Sequence, residues 1–499
     1  MRGDEPIEKL LGRVLMVAPP DGWLEGPLDW LDELQPAGVI LFKRNLPKTL
    51  AAASAGIARL EGWAAARGET LLVAMDEEGG FVTQTDVYMP VPPSARALAW
   101  AAGPEATHRA FAAYGRRLRH LGVNLDFAPV CDVNDNPRNP VIGVRSFGTE
   151  AGLVTRYALA VHEGLAEAGL LSCAKHFPGH GDTDLDSHLT LPVLHHGRER
   201  MEAVELVPFR ALLSQVPVIM VAHLACPKLV RDLGAPAEGE LPATLAHSIA
   251  TDLLRRELGF TGVAVTDAMD MKGVAGVFGE EEAAVRALLA GCDLLLYCFE
   301  IDKPQRARAG LRAALESGRI PRTRLEEAAA RVDVLRERAA TSPRSTTLPP
   351  EEEDAATYHA LCRAALRFEN APAWDALARA AKESRRVQLV GWQEQLLGRL
   401  AARLRGRGFE VGIAAPKAGL PHDAAPCLAV FGERRPLPET LIASLRDLAR
   451  SHPGAGLANL LTPEVDAQVA PDFTAVVRTA DASDAMLDAL LDRWLGSGV

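Results

Sequence analysis

Eight short apolar runs, separated by longer amphipathic segments, govern what this chain can become. The runs are Val14–Val17, Gly38–Phe42, Leu71–Asp76, Val123–Pro129, Leu171–Phe177, Val216–His223, Gly262–Asp267 and Asp293–Cys298. They are apolar on both faces, and Ala/Leu/Arg/Glu segments such as Glu150–Ala168 and Leu245–Leu258 stand between them with helical spacing. Continuous apolar strands joined by helices indicate a parallel sheet covered on both sides. Eight such units within about 300 residues match the size of a closed α/β barrel. An open doubly wound sheet is the alternative, because strand number alone does not prove closure.

Polar residues are spread unevenly over these units. Asp76, Asp126, Lys175, His176, His223 and Asp267 all fall at or near the C-terminal ends of expected strands. In a (β/α)8 barrel that is the end where an active site is built. One strand ending on a polar residue means little, but five doing so is hard to explain by packing.

A helical stretch over about Arg322–Ala340 leads into a Pro/Ser/Thr-rich run from Thr341 and an acidic one over Glu351–Asp354, the clearest linker in the chain. The sequence therefore predicts a catalytic (β/α)8 TIM-like barrel over residues 1–340, a linker over 341–356 and a smaller α/β domain over 357–499. In that last part Val387–Val390 and Cys427–Phe431 read as strands, and Glu394–Arg405 and Leu437–Ser451 as helices. No internal repeat is present, and no motif there attaches to chemistry.

A net charge of −11 without a compensating basic stripe argues against nucleic acid as a partner. The Arg-rich patches Arg116–Arg119 and Arg399–Arg407 read as solvated helix faces. Seven scattered cysteines without a C-x-x-C pair fit reduced thiols better than disulfides or a zinc site. The N-terminus lacks the basic and apolar regions of a signal peptide, and no apolar run is long enough to cross a bilayer. A cytoplasmic protein without a membrane partner is the expectation. No feature of the sequence sets an oligomeric state.

The densest polar cluster is Lys175-His-Phe-Pro-Gly-His-Gly-Asp-Thr-Asp-Leu-Asp-Ser-His188. Its Gly, Pro and Asp content makes it a loop leaving the fifth strand, and a loop on that face of a barrel carries function. A solvated surface loop is the bland alternative, but Lys175 and His176 sit in an apolar strand, where burial demands partners. Against a metal site stand the positive charge of Lys175 and the lack of a tight ligand spacing such as H-E-x-x-H.

Asp267, at the end of the apolar run Val263–Val265, points to a barrel mouth or else caps a helix; Asp270 is the more structural of the two. A carboxylate on strand seven and a His/Asp pair on a loop supply the halves of a double displacement at an anomeric carbon. Asp267 would attack, His188 would donate and then accept a proton, and Asp186 would hold the imidazole.

The chain resembles the glycoside hydrolase family 3 β-N-acetylglucosaminidases of bacterial cell-wall recycling over roughly residues 8–335. The resemblance rests on Gly38–Asn45, Asp76-Glu-Glu-Gly-Gly80 (D-x-E-G-G), Asn124–Val130, Ile142–Gly148, Glu205–Phe209, Val221–His223 and Thr266–Met271. Above all, Lys175–His188 matches K-H-F-P-G-H-G-x-x-x-x-D-S-H at every fixed position. The resemblance implies Asp267 as nucleophile and His188 as acid/base paired with Asp186. It also implies Asp76, Arg145, Lys175 and His176 as residues holding the sugar hydroxyls, with His223 as a further candidate for that pocket. No metal or cofactor is implied; the partner is a small carbohydrate substrate. The sequence departs from the family at Phe81 and Gln84, where arginines are common. Losing two cations near the sugar bears on its orientation and preferred stereoisomer.

Hydrolysis of terminal non-reducing β-N-acetylglucosamine from peptidoglycan-derived glycosides is the function this implies. A phosphorylase using the same residues is the near alternative, because a histidine repels incoming phosphate less than a carboxylate does. A non-catalytic sugar-binding barrel is the alternative from another class, against which Asp186, His188 and Asp267 all stand intact.

Overall fold

A computed structural model describes residues 6–183, 191–342, 348–415, 425–432, 437–461, 466 and 469–496. The eight expected runs become β1 Leu15–Val17, β2 Gly38–Ile40, β3 Leu72–Met75, β4 Leu125–Asp126, β5 Leu171–Phe177, β6 Val218–Val221, β7 Val263–Thr266 and β8 Leu295–Tyr297. Neighbours in sequence pair in parallel from β1 to β7, and β8 pairs in parallel with β1. A parallel bridge between Val265 and Leu294, with Thr266 N donating to Leu294 O at 3.0 Å, joins β7 to the start of β8 and closes the ring. The barrel is therefore closed, and the open-sheet alternative falls.

Side-chain alternation along each strand sorts the residues into two cores. Ala74, Leu125, Cys173, Met220, Val265 and Leu296 fill the barrel interior. Their neighbours Val73, Ala174, Ile219, Ala264 and Leu295 pack outward among the helices. Asp76 and Asp267 continue the inward phase of Ala74 and Val265 one step past their strands, and Lys175 continues that of Cys173. Asp126 and His223 are out of phase with their inward neighbours. On β5 the pairing register to β6 shifts between Ala174 and Phe177. Such an irregularity breaks the alternation and re-aims side chains, so Lys175 and His176 both reach the same end of the barrel.

The second sheet comprises β9 Arg367–Glu369, β10 Arg386–Val390, β11 Glu410–Ala414, β12 Cys427–Phe431, β13 Gly456–Asn459 and β14 Ala475–Arg478, in the order β11-β10-β12-β13-β14-β9. All its pairs are parallel except β14 with β9. Leu389, Val430 and Val477 pack on one face, and Val390, Phe431 and Val476 on the other, so helices cover both sides. A helix over Glu351–Ala365 precedes this sheet and starts within the Pro/Ser/Thr-rich and acidic segment. It ties the two parts together: Arg117 Nε donates to Asp354 Oδ2 at 2.6 Å, and Tyr358 Oη to Ala110 O at 3.1 Å.

Candidate active site

The C-terminal ends of the barrel strands surround a cavity of about 270 Å3. Asp76, Arg145, Lys175, His176 and Asp267, each named from the sequence, all line it. They come from β3, the 143–145 turn, β5 and the end of β7. Met220, Leu296, Phe42 and Phe299 supply apolar wall. A polar cluster facing apolar surface suits a sugar ring, which has hydroxyl edges and C–H faces.

The polar side is an ion cluster. Lys175 Nζ donates to Asp76 Oδ1 and to Glu78 Oε1, each at 2.6 Å. Arg145 grips Glu78 with two donors, Nε to Oε2 at 2.7 Å and Nη2 to Oε1 at 2.8 Å. Burial alone would neutralise such groups, but the partners outweigh it. Burial pulls the Lys175 ammonium down, yet Asp76 and Glu78 hold it above the ordinary lysine range. Burial pushes Glu78 up, yet Arg145 and Lys175 bring it well below the usual carboxylate value. Both cations stay charged, with Lys175 only 2% exposed and Asp76 at 22% open towards the cavity.

A second relay fixes His176. Arg145 Nη2 lies 3.3 Å from His176 Nε2, and a guanidinium only donates, so Nε2 accepts and Nδ1 carries the hydrogen. That Nδ1 lies 2.7 Å from Asp132 Oδ2. The other Asp132 oxygen accepts from the backbone N–H of His176 at 3.2 Å and of His180 at 2.7 Å. Burial raises the Asp132 carboxyl, but His176 and His180 carry it below its ordinary value. A carboxylate thus orients an imidazole whose edge faces the cavity.

Glycine is required where this loop turns back. A Cβ on Gly181 would lie 1.8 Å from Val133 O, and Gly179 has φ +127° with a Cβ position 2.7 Å from Glu205 Cβ. Asn139 Nδ2 donates to the carbonyls of His180 at 2.8 Å and Gly181 at 2.9 Å. The His180 ring lines the cavity, and burial pushes it down to about 4, so it is neutral there.

At the end of β7, Asp267 Oδ1 accepts from Ala268 N at 2.8 Å, and Asp267 N donates to Val221 O at 2.9 Å. His223 is wholly buried and stands behind this strand end rather than among the lining residues. Its Nε2 lies 3.0 Å from Ala268 O, a pure acceptor, and its Nδ1 lies 2.8 Å from Thr244 Oγ1. Two residues past β6, it keeps the outward phase of Val221, which accounts for that placement. Asp126, also out of phase, accepts from Glu77 N at 3.0 Å, and burial raises its carboxyl well above the ordinary value. Asp270 accepts from the backbone N–H of Cys298 at 3.0 Å and Phe299 at 2.7 Å, a structural use that matches the expectation.

Asp186 and His188 lie outside the described residues. Sequence reasoning did not single out Glu78, Asp132, Glu77 or His180. Glu78 is the glutamate of the D-x-E-G-G segment, and His180 is a fixed position of the long signature, so both had a local signal; Asp132 had none. Of the two departures from the family, Gln84 lines the cavity, accepting from Lys43 N at 3.1 Å and donating to Asp76 O at 3.3 Å. Phe81 turns away and packs against the core of the second domain.

A closed parallel barrel thus carries a charged, partly apolar cavity at the C-terminal ends of its strands. The family model "Glycosyl hydrolase family 3 N terminal domain" matches residues 25–335, and the chain belongs to that family. Beta-hexosaminidase A of Pseudoalteromonas piscicida is 35% identical over 327 residues, covering 62% of this chain and 55% of that protein. Beta-hexosaminidase LpqI of Mycobacterium tuberculosis is 38% identical over 279 residues, covering 53% of this chain and 68% of that one. The chain thus spans little more than half of the first relative's length. Among solved structures, a glycoside hydrolase family 3 β-N-acetylglucosaminidase from Paenibacillus sp. str. FPU-7 superposes with a TM-score of 0.83 at 28% identity, over 99% of this chain and 97% of that one. The barrel followed by a second α/β domain is the layout of that neighbour.

Proposed function

We propose that the protein is a retaining glycosidase that removes terminal non-reducing β-N-acetylglucosamine from peptidoglycan-derived or related glycosides. The observation that carries this reading is the convergence of Asp76, Arg145, Lys175, His176 and Asp267 on one cavity at the C-terminal face of the barrel. The sugar is chosen because the matched relatives are β-hexosaminidases and the matched structure is a β-N-acetylglucosaminidase.

In this mechanism Asp76 accepts from paired sugar hydroxyls while Lys175, Arg145 and His176 fix its orientation. An Asp267 oxygen bonds to the anomeric carbon as the bond from that carbon to the leaving oxygen breaks, and His188 gives its proton to the leaving oxygen. Water then bonds to the same carbon, His188 takes a proton from it, and Asp267 departs. Asp186 holds the imidazole and raises its basicity. His223 acts indirectly, by holding the Ala268 carbonyl beside the nucleophile. The reaction needs no metal or cofactor.

The barrel over residues 1–340 is the catalytic unit in this reading, and 357–499 its companion. Cytoplasmic residence is part of the same reading: all seven cysteines are buried free thiols, as suits a reducing compartment. Among the described residues no helix is long and apolar enough to cross a membrane.

The test is release of a chromophoric aglycone from an aryl β-N-acetylglucosaminide, in EDTA and without phosphate, by wild type and Asp267→Ala. Wild type should turn over, and the variant should lose on the order of 10⁴-fold or more. Turnover that requires phosphate would mean a phosphorylase, and a silent wild type would overturn the reading.

A further inference from the structure

Among the described residues the second domain contributes none to the cavity lining, yet its contacts reach the two chain segments that carry the Glu78–Arg145 pair. We propose that this domain sets the sugar pocket from behind, with Asp481 holding Ser94, on which the turn bearing Glu78 rests, while Phe81 and Val144 anchor that turn and Arg145 in the second domain's core.

The first contact begins at the D-x-E-G-G turn. Glu78 N donates to Val82 O at 3.0 Å, and Gly80 N to Pro92 O at 2.8 Å, so the turn lies flat on residues 92–94. Gly79 and Gly80 hold φ of +85° and +59°. A Cβ on Gly79 would lie 2.7 Å from Pro93 O, and one on Gly80 the same distance from Ser94 Cβ. Nothing bulkier than glycine allows this approach.

Ser94 is in turn held by the other domain. Its backbone N–H donates to Asp481 Oδ2 at 2.9 Å, and its hydroxyl donates to Ala480 O at 2.6 Å. Asp481 is fully buried, and its second oxygen accepts from Ser483 N at 2.8 Å. Ala480 adopts φ +56°, a left-handed backbone that a side chain disfavours, and that conformation presents its carbonyl to Ser94.

The second contact is apolar. Val144, adjacent to Arg145 and 1% exposed, belongs to the core cluster of the second domain with Ala97, Leu397 and Met486. Phe81, three residues after Glu78, packs on the same cluster. Both partners of the Glu78–Arg145 bridge therefore hang from one apolar body, and Glu78 also holds Lys175. This explains why the chain carries Phe81 where arginine is common: the side chain serves the domain junction, and the sugar keeps Arg145. Asp481, Phe81 and Val144 are thus positioning residues.

The proposal rests on the sugar reading only for its kinetic arm. Full-length Asp481→Asn, Phe81→Ala and Phe81→Leu are compared with wild type by hydrogen exchange without substrate and by aryl β-N-acetylglucosaminide kinetics. Exchange over residues 78–82 and 143–146 should quicken about tenfold in Asp481→Asn and Phe81→Ala, with the barrel strands unchanged. KM should rise about tenfold with kcat within about threefold, and Phe81→Leu should recover most of both. If Asp481→Asn does not fold, the Phe81 pair carries the test. Faster exchange beside a silent wild type upholds this anchoring and sinks the sugar reading. Unchanged exchange in those two segments, or faster exchange confined to the second domain, overturns the anchoring.

Discussion

Two buried charge clusters bracket the barrel, and they do opposite things. At the mouth, Lys175 and Arg145 face Asp76 and Glu78 around a cavity, with Asp76 partly open to it. At the base, Asp293 precedes β8 and is wholly enclosed: Arg255 pairs with it, Arg324 lies at 3.2 Å and Arg331 at 3.0 Å, and Ala264 N donates to it at 3.0 Å. Beside it Arg13 joins Asp333 at 2.7 Å, and Arg336 joins Glu69 at 2.8 Å. Both clusters satisfy buried charge, so burial and pairing do not distinguish a site from a strut. What separates them is place: the mouth cluster lines a cavity at the C-terminal strand ends, where a barrel builds its site, whereas the hollow beside Asp333 lies at the opposite end. The base cluster locks strand starts to the outer helices.

Removing one charge from each cluster separates their roles. Under the proposed function, Lys175→Met should lower kcat/KM by about 10²–10³-fold, because a charged donor to the sugar and the orientation of Asp76 would be lost together. Asp293→Asn should leave kcat where it is and cost about 3–5 kcal/mol of stability, because three arginines lose their carboxylate. Denaturant melts and steady-state kinetics on both variants decide the matter. A mouth variant that only unfolds, or a base variant that folds normally yet loses turnover, breaks the distinction.

The smallest effects lie in pH, and their signs differ. Glu77, beneath the mouth, is raised by burial to about 7, against bonds from Thr83, Tyr114 and the Gln84 N–H. The native state then binds a proton that the unfolded chain, titrating near 4.5, has released. Its contribution to stability therefore falls as pH rises from 4.5 to about 7. At the base, burial raises Glu69, but Lys9 and Arg336 outweigh it and bring it to about 2. That contribution is complete above 4.5 and is lost as pH falls towards 2. Stability measured across pH should lose its near-neutral slope in Glu77→Gln and part of its acid slope in Glu69→Gln. An unchanged profile in either variant contradicts the corresponding assignment.

The barrel was legible because eight apolar runs needed cover on both faces, and all eight became strands. β4 is only Leu125–Asp126, against the expected Val123–Pro129; Pro129 has no N–H to pair, and an isolated bridge from Val130 to Lys175 follows. In the second domain Val387–Val390, within the observed Arg386–Val390, and Cys427–Phe431 were legible, but the other strands were not. Gly456-Leu-Ala-Asn459 lacks β-branched residues, and Glu410–Ala414 is an edge strand with exposed positions. At the mouth, strand-end polarity pointed to Asp76, Lys175 and Asp267, and phase explains why Asp126 and His223 do not join them. Glu78 and Asp132 escaped notice because their partners lie far along the chain: Arg145 is 67 residues from Glu78, and His176 is 44 from Asp132.

In the proposed reaction, Asp267 at the barrel mouth takes the sugar covalently. The direct measurement is mass analysis of enzyme acid-quenched during turnover of a slowly released, ring-fluorinated aryl N-acetylglucosaminide. The account predicts one added glycosyl group on the peptide containing Asp267, absent in Asp267→Ala. Turnover with no adduct, or an adduct on another residue, would contradict it.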